Sequence, residues 1–545
     1  MSKLIDTLFS GAFFHTMLAE GEVYNYLGVK DGLITYISDT RPHKRAYNRE
    51  VRLDGLHVYP SLTDAHLHLM YSIAIAAMGF HICEISGGAV VPDSIEGVGK
   101  RLSAYCKGRG DNDIIIANSY ITQGIREKRM PTRQELDEWT GSRRAIVYTV
   151  DGHSSAMSTA MLNALDIESE GHDGRLTGTE HDFRQGRITE IMTESIGLRD
   201  IARGIASFVN QCASFGITRV CAFDGNGDSK NDTLMDLLAF IAPRLDIDVF
   251  LYPQYMDLER ARPFWKKMRR PRIGGCGQWQ MDGAVGSHSA AFYSPYADTG
   301  KTAACYYTQN FVNDSVQSAD AEGCQIASHA IGDAAIDRIL EAYDLLGSGK
   351  QCQCGKRCHA DIPQRIEHFE FPSDEAVNKV IANGNIALAV QPGFAWIDSR
   401  YLKTYENYLP PDTIKQQLPL KRLYDAGIAL CASSDSPVQN IDPFLQMLGM
   451  MEFSIQGQSL SNYEALYCYT MNPARITGNE DYFGTLETGK EASFFTCQTD
   501  LINCSHDAFS GVKALHTYIR GKDLRRKKGT LGEFAGMLFR RTKKI

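Results

Sequence analysis

Eight short apolar runs punctuate the middle of this chain, at residues 56–61, 218–223, 248–252, 277–281, 325–328, 364–366, 386–390 and 428–432. Amphipathic, helix-like stretches such as 334–346, 374–382 and 419–426 lie between several of them. Parallel strands need long crossovers, usually helical, so this alternation is the mark of repeated βα units. Eight units predict an α/β fold closed into a (β/α)8 barrel of the TIM type. The spacing is uneven at one place. About 160 residues separate the first two runs, whereas a βα unit needs roughly 30. Residues 85–205 are therefore expected to form an inserted lobe, with strand-like runs of their own at 113–117 and 145–150. Both chain ends read differently. Runs 23–27 and 33–37 flank the turn Lys30-Asp31-Gly32, and short runs return at 492–497 and 514–519. Residues 1–58 and 478–545 are expected to combine into a small β-sandwich beside a barrel at 59–477.

Composition narrows the function classes. The 545 residues are 43% hydrophobic and 22% charged, with a net charge of -8. That suits a sizeable core and lacks the basic footprint that a nucleic acid requires. Ten Lys and Arg do gather at 520–528 and 540–544, and they read as a solvated tail. No run approaches the ~20 apolar residues of a membrane span, and the first residues carry no secretory pattern. A cytoplasmic protein with reduced thiols is expected from its 14 Cys. Cys352, Cys354, Cys358 and His359 match no standard zinc-finger spacing and read as a polar loop, with a structural zinc as the minor alternative.

Chemistry concentrates at the strand ends. In Asp64-Ala65-His66-Leu67-His68, alternate side chains of a strand share a face, so His66 and His68 can chelate one ion. Alone the pair is weak, because 15 histidines produce such pairs by chance. Position strengthens it. His329 ends one run, His368 follows another, Asp435 follows a third, and Gln278 lies in the run 277–281. Catalytic groups of a barrel come from the C-terminal ends of several strands, a placement that core histidines have no reason to share.

The chain resembles the amidohydrolase superfamily, and within it amidohydrolase family 3, which includes N-substituted formamide deformylases. The resemblance rests on Pro60-Ser61-Leu62-Thr63-Asp64-Ala65-His66-Leu67-His68, Asp151-Gly152-His153-Ser154, Asp282-Gly283-Ala284-Val285-Gly286-Ser287, His329-Ala330-Ile331-Gly332-Asp333, Arg365-Ile366-Glu367-His368, Gln391-Pro392 and Ser434-Asp435-Ser436-Pro437. It implies a metal-bearing barrel with a β-sandwich built from both ends. His66, His68, His329, His368 and Asp435 would bind a divalent metal, most readily Zn2+, with Asp435 also handling the proton. Binuclear members carry a carboxylated lysine on the fourth strand. Gln278 is read as standing there, and an amide cannot form a carbamate, so one ion is favoured and two stay an alternative.

Weaker candidates follow. His153, Gln278, Asp282 and His288 are expected to line the substrate pocket. Glu367 should face away from His368 and serve structure, and Asp333 should cap a helix. If it does not ligate a second ion, His368 would hydrogen-bond the developing oxyanion. The expected activity is metal-dependent hydrolysis of a non-peptide C–N bond, amide or N-formyl, in a small molecule. Deamination of a cyclic amidine and a non-catalytic ligand-binding barrel are the competing readings, and homo-oligomerisation stays open.

Overall fold

The computed structural model describes residues 4–86, 88–194, 196–225, 232–346, 362–524, 526–540 and 542–543. The cysteine cluster at 352–359 lies outside the described residues. Among those described, eight strands run in parallel in two sheets. We number them β1 (Leu62–Leu67), β2 (Ile217–Asp224), β3 (Asp248–Pro253), β4 (Arg272–Gln280), β5 (Gln325–Ala330), β6 (Gln364–His368), β7 (Ile386–Val390) and β8 (Leu430–Ala432). One sheet has the order β3-β2-β1 and the other β4-β5-β6-β7-β8. The sheets meet at both edges. β3 packs beside β4. At the other edge the Asp435 N–H donates to the His66 carbonyl (2.9 Å) and the His68 N–H to that of Ser436 (2.8 Å). The Asp64 carboxylate reinforces that seam by accepting from the backbone N–H groups of His66 and Ser434. The strands are buried along nearly their whole length, which is why they read as continuous apolar runs rather than as alternating ones.

Two of the expected strands are corrected. The run at 56–61 is not the first barrel strand. Its counterpart His57–Pro60 pairs antiparallel with Phe494–Cys497 in the terminal sheet, and the parallel strands begin at Leu62. The fourth strand starts earlier than residue 277, at Arg272, and carries a bulge. Its ladder with β5 pairs Gly275 with Ser328 and next pairs Gln280 with His329, so four residues of β4 are looped out. Glycines make this path passable. Gly274 has φ +106°, and a Cβ there would stand 1.9 Å from the Ala327 carbonyl oxygen.

The crossover helices are set by their ends. Helix Gln309–Ala321 is capped by the Thr308 hydroxyl, which accepts from the Phe311 N–H. Ser373 caps Asp374–Asn383 in the same manner, and that helix stops at Gly384 in the left-handed region. Asp333–Asp344 and Leu420–Asp425 occupy the places expected for helices.

Strands from both chain ends form one eight-stranded sheet in which Phe494–Cys497 joins His57–Pro60. Between β1 and β2 a separate unit carries a five-stranded mixed sheet that includes Ile115–Tyr120, Ala145–Thr149 and Ser154–Met157. It has apolar clusters of its own, one around Val98, Leu102 and Leu136, the other around Ile146, Met161 and Ile188. Among the described residues no helix is long and apolar enough to cross a membrane.

Candidate active site

The site lies where the C-terminal ends of β1, β4, β5 and β6 and the segment after β8 converge. His66 is the last but one residue of β1, and His68 follows that strand. The chain bends sharply at the rim. His368, Phe369 and Asp435, none of them glycine, have φ of +70°, +47° and +57°. Such left-handed residues are strained and are held only where the surroundings over-determine them.

Each of four histidines has its outer nitrogen fixed by an acceptor. His66 Nδ1–H donates to Glu367 Oε2 at 2.7 Å. His68 Nδ1–H donates to the Phe223 carbonyl at 2.9 Å. His368 Nδ1–H donates to Gln391 Oε1 at 2.7 Å, with the Gln391 amide oriented by its own bond to Ser433 Oγ. His329 Nε2–H donates to the Gly283 carbonyl at 3.2 Å, with Asp282 Oδ1 at 3.5 Å. With the proton placed outside, the inner nitrogen of every ring presents a lone pair to the same space. Asp435 Oδ1 is buried there and accepts no hydrogen bond from the described residues. Its neighbours are His66 Nε2 at 3.4 Å and His68 Nε2 at 3.3 Å.

This donor set fits a metal ion. Converging lone pairs with no protons between them repel unless a cation sits among them. The separations agree as well, since bonds of about 2.0–2.3 Å in tetrahedral geometry place neighbouring donors roughly 3.3–3.8 Å apart.

A sixth side chain stands among the histidines, and sequence reasoning missed it. Cys276 Sγ lies 3.6 Å from His66 Nε2, 3.8 Å from His329 Nδ1 and 4.0 Å from His368 Nε2. Gln278, assigned to this place from the sequence, is not there. Its Oε1 accepts from the Met256 N–H (2.9 Å), and it lines the cavity wall. The bulge in β4 is the reason, because residues 276–279 leave the regular ladder. A thiol flanked by Gly274, Gly275 and Gly277 within a strand was the available signal.

Other expectations are corrected too. Glu367, read from the sequence as facing away from His368, bonds the outer nitrogen of His66 and is clamped by Arg365 through Nε (2.8 Å) and Nη2 (2.8 Å). Asp282 does not line the pocket. It is fully buried and accepts from the N–H groups of Ala291, Ile331 and Gly332, which ties down the loops behind His329. His288 pairs with Asp298 (2.8 Å) and stacks on Tyr408, outside the described linings of the cavity. Asp333 is the first helical residue rather than the cap, and its Oδ1 accepts from the Tyr293 and Ala334 N–H groups. For the oxyanion role expected of His368, the structure shows Nδ1 engaged by Gln391 Oε1 and Nε2 facing the centre.

Two chambers open from this centre and share Asp151, His153, His368 and Asp435. One is polar, lined by His68, Asp182, Gln185, Gln278 and Gln280 among others. The other is largely apolar, with Ile121, Val285, Ile331, Phe394 and Tyr405. His153 comes from the inserted unit, and its Nδ1–H donates to Asp182 at 3.0 Å. Asp182, also unforeseen, accepts from Tyr306 (2.6 Å) and Gln280 (3.2 Å) as well. Burial would lower the His153 pKa, but Asp182 outweighs it and raises it.

The profile of the amidohydrolase family matches residues 49–524. An N-substituted formamide deformylase of Arthrobacter pascens is 24% identical, covering 96% of this chain and 98% of that protein. A metal-dependent hydrolase of Pyrococcus horikoshii OT3 superposes with a TM-score of 0.69 at 20% identity, covering 92% of this chain and 99% of the other. Atrazine chlorohydrolase TrzN of Arthrobacter aurescens TC1, complexed with zinc, gives 0.54 at 13% identity, covering 98% and 99%.

Proposed function

We propose, starting from a chain that belongs to the amidohydrolase family, that this protein hydrolyses a small N-formyl or N-acyl amine in a closed (β/α)8 barrel flanked by a β-sandwich of both termini. The carrying observation is the set of four inner histidine nitrogens and the unpartnered Asp435 Oδ1 facing one space. His66, His68, His329, His368 and Asp435 would hold a divalent metal, for which imidazole and carboxylate favour zinc. When bound there, such an ion lowers the pKa of water to about 7 and polarises a carbonyl.

The chain's own residues supply the rest. As a carboxylate, Asp435 can accept a proton from the attacking water and return it to the departing amine nitrogen, which must be protonated to leave. His153, with Nδ1 held by Asp182, can donate from Nε2 to the carbonyl oxygen as charge develops. Gln278 and Gln280 offer hydrogen bonds to the polar end of the substrate. The apolar chamber accepts the organic substituent and excludes water.

The test is a hydrolysis screen over N-formyl and N-acyl amines, with metal content measured on the same sample. Stoichiometric release of carboxylate and amine is expected. His66→Ala and Asp435→Ala should lower turnover about 10²–10⁴-fold. Near wild-type rates in either folded variant would sink this assignment, and release of ammonia from cyclic amidines alone would redirect it to deamination.

A further inference from the structure

Cys276 is the one part of the site for which the function above has no use. Its position is nonetheless tightly specified. Gly275 lets β4 pass Phe223, where a Cβ would come within 2.0 Å of the ring, and Gly277 has φ +62°. Between them the bulge turns Sγ into the centre. Two groups of donors share this sulfur, His66 with His68 on one side and His329 with His368 on the other, with the donor atoms of each group all within 4.8 Å of one another. The sulfur therefore lies between two pairs of imidazoles, where one atom can reach an ion on either side. A thiolate has lone pairs enough to do so and is a strong ligand for zinc.

We propose that the Cys276 thiolate is a shared ligand of two divalent ions, one held with His66, His68 and Asp435, the other with His329 and His368. It supplies the bridging negative charge for which the resemblance led one to expect a lysine carbamate. The ground for a single ion was the amide of Gln278, and Cys276 removes that ground. A bridge of this kind needs no carbon dioxide and selects thiophilic ions, zinc above magnesium or calcium. The inference rests on the centre binding metal, not on which bond is cleaved.

The experiment is spectroscopic and uses the full chain. Loaded anaerobically with cobalt(II), it should bind two ions and show an intense near-ultraviolet sulfur-to-cobalt band. Loaded with zinc, it should give an X-ray absorption spectrum with a sulfur shell at about 2.3 Å beside nitrogen and oxygen at about 2.0–2.1 Å. Cys276→Ser and Cys276→Ala should lose the sulfur signatures and retain one ion, with the visible cobalt bands of the remaining histidine-bound site. A wild-type spectrum with nitrogen and oxygen scatterers alone overturns the proposal, as does a single ion per chain. Because the unaltered protein decides the matter, a variant that fails to fold changes nothing. If the hydrolase reading fails, the sulfur band should persist; if the bridge fails, hydrolysis can still be observed.

Discussion

Glu367 carries one of the heavier duties in the molecule for a residue that need not touch a substrate. It holds the His66 tautomer, and Arg365 in turn holds it, all three without measurable exposure. Outer partners of ligating histidines typically contribute 10- to 100-fold in metal affinity. Glu367→Gln keeps the shape but loses the charge that balances buried Arg365. It should weaken zinc binding by that factor in competition with a chromophoric chelator and cost about 3–5 kcal/mol of stability. A variant with unchanged zinc affinity would mean that His66 is oriented by packing alone. His15 makes a second residue-scale case. Burial between His57 and Tyr59 pushes its pKa down to about 4. Above the unfolded value of about 6.5 both states are neutral and nothing is lost. Below it the unfolded chain takes up a proton that the native ring refuses, so stability falls between pH 6.5 and about 4. By pH 5 the loss reaches up to about 2 kcal/mol. His15→Phe should show a smaller drop in melting temperature between pH 7 and pH 5 than the wild type does, and an equal drop would refute the assignment.

At the scale of elements, the strand ends were legible and the bulge was not. His66, His68, His329, His368 and Asp435 could be picked out because each follows an apolar run that burial makes continuous. Cys276 could not, because the irregularity of β4 between Gly275 and Gln280, which brings it inward, has no periodic trace in the sequence. The shift of β1 has a similar origin. The apolar run at 56–61 obeys the terminal sheet, while the first parallel strand contains Thr63, Asp64 and His66 and looks polar. What the sequence could not show for Glu367 is its partner, because His66 lies 301 residues away and meets it only when β1 and β6 share one interior. The glycine path of β4 yields its own prediction. Gly274→Ala must move the Ala327 carbonyl or the strand, and should cost about 2–3 kcal/mol while reducing bound metal by displacing Cys276. Gly536→Ala, in helix Leu531–Leu538 with open space around it, is the control and should be neutral or slightly stabilising. Thermal melts and metal analysis on both variants decide it.

Across the whole molecule, the terminal sheet is joined to the strands that carry the site by charge as well as by packing. Asp248 on β3 is surrounded by Arg219 on β2, Arg520 and Lys543, and Arg219 also binds Glu491. Arg219 is only 2% exposed. Asp248→Ala would leave its guanidinium short of a partner in the interior and should cost about 3–5 kcal/mol, read as a lower melting temperature with turnover at 25 °C intact. Loss of turnover without loss of stability would argue that this junction transmits to the site instead. The inserted unit contributes at the same scale, because it delivers His153 and Asp182. Asp182→Asn should lower kcat with zinc content unchanged, since it removes the charge that raises the His153 pKa and touches none of the histidines around Cys276.

That unit has its own apolar clusters around Leu102 and Ile146, separate from those beneath the parallel strands. The side chains this unit lends to the cavity, His153 and Asp182, thus stand on a core distinct from the one beneath His66 and His329.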